Sequence, residues 1–183
     1  MDEVVVEVSK RFLDEMRRNV EDKKSVAEIV LVVPRHGNNV LLHTKAFYPK
    51  DAYRLPTGRL RDGEDPEDAF YREFREELGH DGQIARHLRS LTQKLKSGDE
   101  SLDFTSYIFL TNELTDDPSP EDESEQITDF IDVPISELTS VAEQLRNLPG
   151  DWNDWGRWRA VAHDYVAKAI NRQHKESHTA PTE

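Results

Sequence analysis

Three glutamates, Glu73, Glu76 and Glu77, stand at i, i+3 and i+4 in the stretch Gly58–Gly79 (GRLRDGEDPEDAFYREFREELG). At roughly 100° per helical residue, Phe70, Phe74 and Leu78 form one apolar arc. The three carboxylates share the adjoining face, with Glu77 at the border of the apolar arc. Like charges on adjacent helical positions repel, and desolvation beside a core makes this worse. Either some of the acids are neutral or paired with Arg72 and Arg75, or a cation sits among them. Hard divalent cations take carboxylate oxygens, keep waters and favour sites shared with phosphate. There they neutralise a polyphosphate and lower the pKa of a water that attacks phosphorus.

The neighbouring residues suit that chemistry. Gly58 follows Leu55-Pro56-Thr57, opens a loop that folds back on the helix start, and lets backbone come close to a metal or phosphate. Glu64 lies one residue before the helix cap, where it can bind backbone amides or orient an arginine. Arg72 is placed to hold Glu64 or Glu76. The helix itself is well marked: Asp65 at the cap, Pro66 at the first position, Asp68 three residues after the cap and Gly79 at the exit.

The elements around it are mixed. Val5, Val8, Phe12 and Met16 have helical spacing, although Val4–Val8 also reads as a strand. Val26–Val33 and Val40–Lys45 read as strands, as do Ile84–Leu91 and Leu102–Leu110, with a turn at Lys96–Asp99. Ile127–Val133 reads as a short strand, Ile135–Leu148 and Arg157–Asn171 as helices, and the polar tail from Gln173 as disordered. The expected organisation is an N-terminal helical extension (1–25), a main domain (26–172) and a tail (173–183), in an α/β or α+β layered fold.

With 183 residues, 24 basic and 37 acidic side chains and a net charge of −13, the chain suits a single domain. Such acidity argues against a nucleic-acid coat or an anionic-membrane binder. The lack of cysteine excludes disulfides, thiolate metal sites and cysteine nucleophiles. The acidic start MDEVVVEVSK does not resemble a secretory signal, and the longest aliphatic run, Ile29–Val33, is far too short for a membrane span, so a cytoplasmic protein is expected.

Gly58, Glu64, Arg72-Glu73 and Glu76-Glu77 are in register with the Nudix box, and the segment Val26–Leu138 resembles the Nudix fold. Two positions depart: Phe74 is bulkier than the usual aliphatic residue, and His80 replaces an apolar one. The resemblance implies a Nudix-type α/β/α sandwich with a mixed sheet, here with extra N- and C-terminal helices. It implies a Mg²⁺- or Mn²⁺-dependent pyrophosphatase that hydrolyses a nucleoside diphosphate linked to another group. It also implies metal ligation by Glu73, Glu76, Glu77 and a backbone carbonyl near Thr57. The general base in such enzymes is a box glutamate, here Glu73, or a carboxylate of the loop before the last strand; among Glu121, Glu123 and Glu125 we favour Glu125.

Arg54, Arg59 and Lys94 are candidates for substrate phosphates, and Phe47 and Tyr53 for the nucleobase. The acidic loop Asp116–Glu125 also reads as a plain solubilising loop. Trp152, Trp155 and Trp158 read as pins for the C-terminal helix, and the histidines as ordinary core-edge or surface residues. The positions that mark ADP-ribose and dinucleoside polyphosphate specificity hold Lys94 and Leu95, which match neither, and no coenzyme A signature is visible. ADP-ribose or a nucleotide sugar is the leading expectation. Dinucleoside polyphosphates, (d)NTPs or capped RNA are alternatives, and a non-catalytic nucleotide-sensing domain is a rival of another class. Nucleic acid and membranes are not expected partners. Val4–Val8 and the tryptophans are candidate homodimer surfaces.

Overall fold

Aliphatic residues on successive positions suit a strand covered on both faces. Ala27–Val32 (β2) is such a strand, sitting inside a five-stranded mixed sheet. The structure, a computed structural model, describes residues 2–178, with side chains through residue 170. The chain runs β1 (Asp2–Glu7), α1 (Lys10–Lys23), β2, β3 (Pro34–Arg35), β4 (Asn39–Lys45), β5 (Thr57–Arg59) and α2 (Pro66–Leu78). It continues through β6 (Ile84–Ser97), β7 (Glu100–Thr111), β8 (Ile127–Pro134), α3 (Leu138–Arg146) and α4 (Asn153–His178). The large sheet has the order β1-β6-β7-β2-β5 and the small one β3-β4-β8. β2 pairs parallel with β7 and antiparallel with β5, which sets Gly58 opposite Ile29.

Apolar layers on both faces give the sandwich. Val30, Leu42, Ile108, Val141 and Val166 pack with α3 and α4 on one side. Ile29, Leu31, Phe70, Phe74 and Phe109 pack with α2 on the other. The fold is α+β, as expected.

Three expectations are corrected. The N-terminal segment is not purely helical: Asp2–Glu7 is a strand parallel to β6, with Val4 opposite Gln93. Three consecutive β-branched valines favour extended backbone, and the helix starts only after Ser9, whose hydroxyl accepts from the Phe12 amide at 3.2 Å. Val6, Val8, Phe12 and Leu13 then join Phe104 and Trp158 in a third core cluster, so this segment is integral to the fold. At the other end α4 begins at Asn153 and continues to His178, so Gln173–His178 is helical where a disordered tail was expected. No glycine or proline interrupts those residues. Residues 179–183 of the expected tail lie outside the described residues. Finally, Thr57–Arg59 is a short strand and not a loop.

Trp158 pins α4 to the sheet as expected, lying between Phe12 and Phe104, while Trp152 and Trp155 pack on Tyr48 of the segment between β4 and β5. Among the described residues, no helix is long and apolar enough to cross a membrane.

His163 ties α4 to the chain just ahead of the box. Its Nε2 accepts the Leu55 amide at 3.0 Å, and its Nδ1 lies 2.9 Å from the Arg159 carbonyl, which assigns the proton to Nδ1. Burial pushes this imidazole down from 6.5 to about 3. Between those values the unfolded chain binds a proton that the folded chain refuses, so stability falls on acidification by up to ~1.4 kcal/mol per pH unit. A His163→Gln protein loses that contribution. In urea unfolding at pH 7 and pH 5, its stability changes less than that of the parent; equal changes would show that His163 does not titrate this way. His43, Glu73 and Glu77 titrate in both proteins and drop out of the difference.

Candidate active site

Local signals build α2. Asp65 accepts the Glu67 amide at 2.8 Å, Pro66 opens the first turn, and Gly79 closes the helix at φ +70°. Asp68 makes no cap bond to Asp65. Ala69, Phe70, Phe74 and Leu78 turn into the second core cluster. That orientation carries Glu77 inward with them, to 0% exposure, and leaves Glu73 at 5%.

Gly58 faces Glu73 directly: a Cβ on residue 58 would collide with the Glu73 carboxylate. The glycine is therefore required first for the acid and only through it for any ligand. Arg72 gathers the neighbouring charges. It makes a two-pronged bond to Glu64, with both distances 2.7 Å, and reaches Glu73 at 2.5 Å, Glu76 at 2.9 Å and the Arg59 carbonyl at 3.0 Å. The hydrogen bonds from Arg72 hold the Glu64 carboxyl below its ordinary range. Arg75, the other expected partner, is turned away and pairs with exposed Asp81.

Glu77 is served differently. Neither of its carboxylate oxygens has a hydrogen-bond partner. Lys45 Nζ lies 3.5 Å from one of them and bonds Glu125 as well. Burial pushes Glu73 up to about 7 and Glu77 up to about 8, against the opposing pull of Arg72 and Lys45 respectively. Arg72 and Lys45 thus split the acids between them, and among the described residues no three carboxylates or imidazoles converge into a finished metal cage. A cation would be held only once Glu73 and Glu76 turn off Arg72.

The acidic loop is docked. The Ser119 amide bonds the Leu78 carbonyl at 2.9 Å, and those of Glu121 and Asp122 bond the Glu76 carbonyl at 3.0 and 3.2 Å. These bonds satisfy carbonyls that the end of α2 leaves open, and they deliver Glu125 to the cleft. Glu121 and Glu123 do not line it. His80 also joins the loop, with Nε2 at 2.8 Å from the Asp117 carbonyl.

The cleft measures about 590 Å³ and is lined by Glu73, Glu76, Glu125, Thr57, Gly58, Arg59 and Phe47, among others. Its volume suits a nucleotide-sized ligand. Phe47 is 56% exposed, a ring available to a base. Three candidates fall elsewhere. Arg54 is buried, its guanidinium donating to Tyr48, Leu55 and Thr57 Oγ1. Lys94 sits on the β6 face opposite Gln93 and Leu95 and pairs with Glu3. Tyr53 donates to Asp129 at 2.6 Å and does not line the cleft. Sequence reasoning missed Lys45, Asn19 and Lys23 of α1, and Glu28 with Arg159, all of which line the cleft. Glu28 carried a usable signal, being the lone acid in an aliphatic strand; it bonds Arg159 at 2.7 Å and Ser106 at 2.9 Å.

The NUDIX domain family matches residues 23–155. The chain belongs to the Nudix family. No curated protein sequence matches it. Among solved structures, dihydroneopterin triphosphate pyrophosphohydrolase of E. coli superposes with a TM-score of 0.52 at 16% identity, over 80% of this chain and 96% of that one. A MutT protein from Methanosarcina mazei Go1 gives 0.53 at 11% identity, over 80% and 94%. A NUDIX hydrolase from Nitrosomonas europaea gives 0.52 at 18%, over 82% and 88%. At such identities these likenesses establish the fold, and the family establishes the enzyme: the chain is a Nudix hydrolase, a pyrophosphohydrolase. Nudix hydrolases generally use divalent metal ions and act on small nucleotide-derived substrates.

Proposed function

We propose that this Nudix hydrolase cleaves the phosphoanhydride of a nucleoside diphosphate linked to another group, with Mg²⁺ or Mn²⁺ held by Glu73, Glu76, Glu77 and the Thr57 carbonyl. The observation that carries the reading is Glu77, an acid at 0% exposure whose two oxygens accept no hydrogen bond. A buried carboxylate left so is costly unless opposite charge reaches it, and one ammonium at 3.5 Å is a partial answer. The donor set is all hard oxygen, as Mg²⁺ prefers.

When bound, the cation neutralises the diphosphate and lowers the pKa of a bound water. Glu125, with Glu73 the other candidate, would take the proton of the attacking water. The water oxygen bonds to phosphorus, the bridging P–O bond breaks, and its electron pair leaves with the second phosphate. Arg72 and Glu64 hold the register of the α2 acids, and Gly58 leaves room for Glu73. Arg59 stands at the cleft for a substrate phosphate and Phe47 for the base. The products are a nucleoside monophosphate and a phosphorylated group.

ADP-ribose and nucleotide sugars are the first substrates to assay, beside (d)NTPs, dinucleoside polyphosphates and capped RNA, each with Mg²⁺ and Mn²⁺. Turnover of a nucleoside diphosphate derivative that stops in EDTA is the expected result. Binding across the panel without any turnover would overturn it in favour of a nucleotide-sensing domain. Turnover of capped RNA alone, with steep salt dependence, would overturn the substrate assignment.

A further inference from the structure

Lys45 is the last residue of β4, where the register against β8 slips between Thr44 and Lys45. Its side chain is 8% exposed, unusual for a lysine, and yet it lines the cleft. Its ammonium bonds Glu125, brought by the docked loop, and stands 3.5 Å from Glu77, carried by α2. It thus stands near both the acid that lacks hydrogen bonds and the acid proposed to take the water's proton. An ammonium bonded to Glu125 leaves that carboxylate less free to accept a proton. A dication on Glu77 and an ammonium at the same acids repel at short range in a poorly solvated site.

From this geometry, and resting on the proposed role of the α2 acids, we infer that Lys45 is a positioning residue that competes with the divalent cation for Glu77 and Glu125. On metal loading its ammonium leaves Glu125 and turns into the cleft, toward the substrate's phosphates. Lys45 thereby links loading of the site to release of Glu125 as a base, and the acid pair stays partly neutralised until then.

The test is a Mn²⁺ titration followed by electron paramagnetic resonance, on the full chain and its Lys45→Met and Lys45→Arg variants, with turnover measured on the same samples. Lys45→Met binds Mn²⁺ about tenfold tighter than the parent while its kcat falls. Lys45→Arg, which keeps the charge, returns affinity to within about threefold of the parent. Parent-like or weaker affinity in Lys45→Met overturns the competition and leaves the proposed function standing, because the parent still binds. No Mn²⁺ binding by the parent overturns both. If Lys45→Met does not fold, ¹³C-dimethylated lysines of the parent decide. The Lys45 resonance, assigned by its loss in Lys45→Arg, shifts on adding Mg²⁺; a resonance that stays still overturns the inference.

Discussion

Replacing Glu77 by glutamine lowers Mg²⁺-dependent turnover about a thousandfold and makes the protein more stable. The two effects share one cause. Removing a carboxylate from a phosphoryl-transfer cation site forfeits about 4 kcal/mol of charge stabilisation in the transition state. In the folded protein without a cation, the same carboxyl is a burden, because burial pushes it up to about 8 from 4.5. For a raised carboxyl the folded state is favoured at low pH and loses that advantage as pH rises through 4.5 toward 8. Glutamine removes the pH-dependent cost. In EDTA at pH 8, urea unfolding of Glu77→Gln shows a gain of about 2 kcal/mol, which shrinks toward pH 5. A variant that loses activity and stability together at pH 8 would mean that Glu77 is a structural acid, kept for its pairing with Lys45.

Gly58→Ala damages the enzyme from the opposite side of the site. The new methyl would collide with the Glu73 carboxylate, which Arg72 holds from beyond at 2.5 Å. β5 is fixed by its pairing to β2, with Gly58 opposite Ile29, so the backbone cannot withdraw cheaply. The acid must move, and a displacement of about 1 Å in a positioned group can cost about a hundredfold in rate. We expect kcat to drop about that much, with a stability loss of about 1–3 kcal/mol from overpacking. The accompanying check is Gly63→Ala, at a glycine with open space around it and φ +72°. That change strains the backbone without touching Glu73, so stability falls and kcat holds. Equal kcat losses in both variants would refute the contact as the cause.

What the sequence revealed is what acts over short distances along the chain. Asp65, Pro66 and Gly79 define α2 by capping chemistry alone, and the 3.6-residue period places Glu77 beside the core. The docking of the acidic loop was not readable, because backbone amides of residues 119–122 carry it, yet nearness to β8 singled out Glu125, the glutamate of that loop that lines the cleft. Lys45, Asn19 and Arg159 reach the cleft from β4, α1 and α4, and only tertiary packing brings those together. Arg54 and Lys94 were misplaced because basic character does not say which way a side chain points. On β6, Leu91, Gln93 and Leu95 are buried, so alternation puts Lys94 on the other face. The strand β1 was ambiguous because VVVEV satisfies both periods, and pairing with β6 decided the outcome.

The proposed activity requires divalent cations to enter among the acids of α2. Crystals grown with Mn²⁺ and measured at a wavelength that reveals its anomalous scattering test this directly. The predicted map has a peak bounded by Glu73, Glu76 and Glu77 near the Thr57 carbonyl, with Glu73 and Glu76 turned away from Arg72. A map without that peak, in which Arg72 still grips both carboxylates and Lys45 still faces Glu77, would contradict it.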